Sequence, residues 1–171
     1  MLNRCLCLLF ASLLPSYLFG NELLEYLQQY EGRWVGNFSI HSTASDYTES
    51  FALEQRYWWE EQVLHGLAVF ERAHGMETTR SKMWVEDEHF IAEITRGESK
   101  EVFIGALHDG GLLWLPSNME RVNDYQIRET FVHKDDGTKK LRMEGFDTYL
   151  YAGGIAHIIY RGELTRQTER E

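Results

Sequence analysis

Gly32-Arg33-Trp34-Val35-Gly36-Asn37-Phe38-Ser39-Ile40-His41 repeats with a period of two. Trp34, Gly36, Phe38 and Ile40 fall on one face, and Arg33, Asn37, Ser39 and His41 on the other. A helix would recur every 3.6 residues, so this is a strand with one buried and one solvated side. The pattern continues along the chain. Phe51, Leu53 and Tyr57 oppose Glu54, Arg56 and Glu60, and Met83 and Val85 oppose Lys82 and Glu86. Phe90, Ala92 and Ile94 oppose Glu93 and Thr95, while Leu141 and Met143 oppose Lys140, Arg142 and Glu144. Turn clusters separate the runs at Arg96-Gly97-Glu98, Asp109-Gly110-Gly111, Asp135-Asp136-Gly137 and Gly153-Gly154. The fold class expected is all-β: a single antiparallel up-and-down barrel of about 8–10 strands. Closure removes the exposed edges that an aromatic-rich sheet would otherwise offer for aggregation.

Two different segments precede the strands. Residues 1–20 read as a cleaved signal peptide: a short basic region at Met1 to Arg4, an apolar run from Cys5 to Leu14, and Gly20 before the cut. The apolar run is too short and interrupted for a membrane span, which needs roughly 20 residues. From Asn21 to Tyr30 the period is helical, with Leu23, Leu27 and Tyr30 in step and Asn21 as the cap. This short helix is expected to cover one end of the barrel, and Gly32 to end it. The mature domain is then residues 21–171.

Removal of residues 1–20 takes away Arg4 and both cysteines, leaving 16 basic against 27 acidic residues, a net charge of −11. The mature chain has no disulfide and no thiolate chemistry, so its stability rests on its core. Aromatic residues at 13% and hydrophobic residues at 43% suit a packed domain. The acidic balance argues against nucleic acid and anionic membrane as partners, both of which reward clustered Lys and Arg.

A Gly-x-Trp on the first strand, strands to the end of the chain and a late arginine resemble the calycin barrels: lipocalins, fatty-acid-binding proteins and nitrobindins. The pattern is closest to the bacterial lipocalin-like proteins and covers about the whole mature chain. The resemblance implies a structural pair at the closed end, with Trp34 as the plug and Arg166 stacked across it. Arg166 matches because it shares a face of the last strand with Ala156, Ile158, Tyr160, Gly162 and Leu164. The extended glycine motif of haem-carrying relatives is broken by Phe38. Haem enters through a second likeness: His157, near the start of the last strand, matches the axial ligand of nitrobindins. Alternation sets His157 with Arg161, Glu163 and Thr165 on the polar side, unless Gly153 and Gly154 shift the register.

The chain carries few signs of catalysis. Its seven histidines show no metal-ligand spacing, and no nucleophile elbow or phosphate loop is present. The informative residues are those that alternation turns inward: Phe38, Phe51, Leu53, Gln55, Tyr57, Met83, Phe90, Tyr125, Ile127, Glu129, Phe131, Met143, Ile158 and Tyr160. Most are apolar, and Gln55 and Glu129 supply the polar contacts. An inward carboxylate must be paired, neutralised or wet. A slip of one residue would instead carry Glu129 to the outside. The sequence therefore points to a secreted, non-catalytic, lipocalin-like barrel that binds a small, mainly apolar molecule, with no cofactor, no metal and no stable membrane insertion. The alternatives are a structural or interaction module filled by Trp58, Trp59, Trp84 and Trp114, or a haem protein using His157.

Overall fold

The period-two pattern that begins at Gly32 becomes ten antiparallel strands that close on themselves. In this computed structural model residues 15–121 and 123–168 are described, those before Glu22 by their backbone alone. A helix, α1 (Pro15–Gln28), precedes β1 (Gly32–Ser42), β2 (Thr48–Glu60), β3 (Val63–Arg72), β4 (Gly75–Glu86) and β5 (His89–Arg96). The chain continues through β6 (Ser99–His108), β7 (Gly111–Pro116), β8 (Tyr125–His133), β9 (Lys139–Tyr151) and β10 (Gly154–Gln167). Each strand pairs with its neighbours in sequence, and β10 returns to β1. The result is the expected up-and-down barrel, at the upper end of the expected strand number.

Register fixes which side chains enter the barrel. On β1, Trp34 lies opposite Arg166 of β10 and Gln55 of β2, and Phe38 lies opposite Gly162 and Phe51. A Cβ on Gly36 would stand 2.1 Å from the Glu163 carbonyl oxygen, so β1 and β10 approach too closely there for any side chain. The four predicted glycine turns join β5 to β6, β6 to β7, β8 to β9 and β9 to β10. The β4–β5 turn differs. Asp87 and Glu88 both take positive φ, 48° and 62°, as a tight hairpin requires, without the glycine that normally marks it.

The helix starts at Pro15, so Asn21 is an interior helical position and not the predicted cap. It ends at Gln28, two residues earlier than expected. Residues 1–14 of the predicted signal segment lie outside the described residues. After α1 the amides of Gln29, Tyr30 and Glu31 bond to carbonyls three residues back, at 3.1–3.2 Å, which tightens the last turn. Gly32 then turns the chain into β1 at φ 109°.

The buried side of α1 plugs one end of the barrel. Leu27 and Tyr30 are fully buried beside Trp34, Leu64, Phe90, Leu112, Leu141 and Leu164. Each such side chain contributes about 1.5–3 kcal/mol on removal from water, so this end is a core rather than a pore. Among the described residues no helix is long and apolar enough to cross a membrane.

Candidate functional site

Beyond the plug the barrel is hollow. A cavity of about 640 Å³ runs from Trp114 and Glu129 near the plug to a rim where Arg96 and Ser99 are exposed. Twelve of the fourteen predicted inward residues line it: Phe38, Phe51, Leu53, Gln55, Tyr57, Met83, Tyr125, Ile127, Glu129, Met143, Ile158 and Tyr160. Phe90 and Phe131 do not. Their strands reach the closed end, where Tyr26 of α1 packs edge-on to both rings at 5.8 and 5.6 Å. Tyr30 covers Phe131 at 4.7 Å.

Glu129 is the chemical centre of the floor. Its Cα partner across the β7–β8 ladder is Leu112, which points it inward and excludes the slipped register. The Tyr30 hydroxyl donates to Glu129 Oε2 at 2.5 Å, and the Trp114 indole N–H donates to the same oxygen at 2.9 Å. Tyr26 also reaches the Glu129 backbone carbonyl at 3.5 Å. Glu129 is half-buried and lines the cavity. Burial pushes the carboxyl up from its ordinary range, against the opposing effect of the Tyr30 and Trp114 hydrogen bonds. The same burial, reinforced by Glu129, raises the Tyr26 phenol to about 12 and pushes those of Tyr30 and Tyr57 well up. These phenols remain neutral donors.

The rim is charged but largely self-paired. Arg121, carried on the 117–124 loop, bonds Glu101 at 2.8 Å and Asp147 at 3.0 Å. Arg72 pairs with Glu49, whose carboxyl is held down to about 2 first by that guanidinium and then by the Tyr47 hydroxyl. Arg96 has no carboxylate partner among the described residues and lies over the Phe70 ring at 5.8 Å.

Trp114, expected only as a filler of the barrel, lines the cavity, and the rim charges were not among the expected inward residues. Alternation already carried the signal for Arg96, two residues beyond Ile94, and for Glu101, two before Phe103. No pattern could have announced Arg121, because it lies in a loop.

The closed-end pair takes a different form from the predicted stack. Trp34 is fully buried and its indole N–H donates to the Tyr30 carbonyl at 2.6 Å. Arg166 is its Cα partner, but the guanidinium lies against Gly32, with Nε 3.1 Å from where a Cβ would stand. Among the described residues the cation–π contacts are instead Arg72 over Phe51 and Arg96 over Phe70.

His157 stands on the outer face. Its Nδ1 is 3.0 Å from Thr148 Oγ1, and its ring meets Phe146 edge-on at 5.5 Å. Gly153 and Gly154 do not shift the register, so His157 is not among the cavity-lining residues. Of the four tryptophans expected to fill the barrel, Trp114 lies inside and lines the cavity. Trp58 and Trp84 lie outside and donate to Glu60 and Glu86, and Trp59 packs against the core. Among the described residues no group of three or more metal-ligating side chains is assembled.

No protein-family model and no curated protein matches the chain.

Proposed function

We propose that the mature chain is an exported, lipocalin-like barrel that carries a small, mainly apolar molecule in its interior and does no chemistry on it. The observation that carries this reading is the cavity itself. Its volume of about 640 Å³ falls within the range of small-molecule sites. Its walls are mostly aromatic and aliphatic, with Gln55, Thr79, Ser81 and Glu129 among them and further charged residues at the rim. A barrel meant only as a scaffold would gain stability by filling that space, since lining atoms without neighbours lose dispersion contacts. Export rests on the signal-like residues 1–20, and the calycin assignment on the Gly32-Arg33-Trp34 strand and the barrel it begins.

A fluorescence titration with retinol tests the reading. Retinol is expected to bind in the micromolar range, roughly −8 kcal/mol. Ala92 is buried, faces inward and lines the cavity, so Ala92→Trp should fill the space and abolish binding while the fold persists. Equal binding to that variant, or none to the parent, would overturn the reading.

A further inference from the structure

The floor of the cavity holds one carboxylate and no cation to match it. Both protein donors to Glu129, Tyr30 and Trp114, meet the same oxygen, Oε2. Among the described residues Oε1 accepts no protein donor, and its side chain pairs with no lysine, arginine or histidine. Oε1 is not sealed away, because the one enclosed side-chain polar atom lacking a partner among the described residues is Thr79 Oγ1. It therefore faces the cavity, which Tyr57 and Trp114 also line.

We propose that the cavity takes a lipophilic primary amine, its ammonium group seated on Glu129 Oε1 and its hydrocarbon part directed toward the rim. This rests on the cavity-binding reading above and names the head group. An ammonium supplies both the missing counter-charge and a donor for the open oxygen, a pairing that strengthens away from water. The opposite orientation, an anion held at the rim, is less well provided for. Arg72 and Arg121 already have carboxylate partners, and Arg96 is exposed, where an ion pair contributes little. The net charge of −11 after removal of residues 1–20 also steers cations toward the protein.

Proton exchange follows from the same geometry. The ionisable groups around Glu129 are Tyr26 of α1, Tyr30 of the turn after it, Tyr57 of β2 and Tyr125 of its own strand, with Arg128 acting on Tyr26 from β8. The four phenols stay neutral, so Glu129 is the group that changes charge. An ammonium favours the ionised carboxylate and expels a proton wherever the free protein holds one. Amine affinity should therefore rise with pH through the free Glu129 pKa and fall again only as the amine itself loses its proton.

Decylamine, 1-decanol and decanoate, competing with retinol for the parent protein at pH 7.5, test the proposal. Decylamine is expected to displace retinol at a concentration about tenfold lower than decanol, the effect of one charge-assisted hydrogen bond. Glu129→Gln should erase that advantage while leaving decanol within about twofold. Calorimetry of the parent in two buffers of different ionisation enthalpy should show proton release with decylamine and none with decanol, a readout that needs no variant. Decanoate as the strongest competitor, an amine advantage that survives in Glu129→Gln, or no proton release across the pH range would overturn the proposal while leaving the cavity reading intact. Failure of retinol itself to bind would remove both.

Discussion

The Tyr30 hydroxyl, in the turn after α1, donates to the Glu129 carboxylate on β8 across 99 residues of chain, at 2.5 Å. This contact ties the helical plug to the barrel wall and makes the cavity floor at the same time. Removing the hydroxyl with Tyr30→Phe leaves the ring packing and strips one donor from a buried acid. The expected loss is about 1–3 kcal/mol of unfolding free energy, measured by urea denaturation at pH 7. Unchanged stability would mean that the plug is held by ring packing alone.

Trp34 is bonded to the same tyrosine, fully buried, with its indole N–H on the Tyr30 carbonyl. Trp34→Ala should cost about 3–5 kcal/mol, as other large aromatic truncations in cores do. A thermal midpoint equal to the parent's would show that the first strand does not anchor the closed end.

Glu129 also sets a pH dependence with a definite sign. Its folded-state pKa is raised, chiefly by burial, so the folded chain binds more protons than the unfolded chain between the two pKa values. Its contribution to stability is therefore full below the unfolded value and declines as pH rises through the folded one. Glu129→Gln keeps an oxygen for Tyr30 and Trp114 and cannot ionise. Its stability should lack that decline and match or exceed the parent's above neutrality. Parallel pH curves for the two proteins would show that Glu129 is not strained by ionisation. Glu49 acts in the opposite direction, its stabilisation being lost as pH falls toward its folded value of about 2.

Much of the barrel could be read along the chain because a strand's faces are local information. Phe38, Leu53, Met83 and Tyr160 each show their side through neighbours two residues away. The cavity wall was readable for that reason, apart from Phe90 and Phe131, whose fate depends on how far α1 reaches over the floor. The β4–β5 turn was hidden because Asp87 and Glu88 adopt a conformation that glycine or asparagine usually announces. The Tyr30–Trp114–Glu129 cluster was hidden for a different reason. Its members come from a helix turn and two strands that meet only when the barrel closes, and no local spacing records that meeting. Arg166 illustrates a third limit: alternation fixed its strand face, but only packing directs its guanidinium to Gly32.

N-terminal sequencing of protein recovered from its native source should return a chain beginning at or near Asn21, outside the cytoplasm. An intact Met1 on cytosolic protein would contradict export.

Amide chemical-shift mapping during a retinol titration tests whether a ligand occupies the inside of this barrel. The largest shifts are expected along the cavity wall, at Leu53, Ala92, Phe103 and Tyr160, with the outer-face residues Trp58, Trp84 and His157 little changed. Shifts confined to that outer face, or none at saturating retinol, would contradict that occupancy.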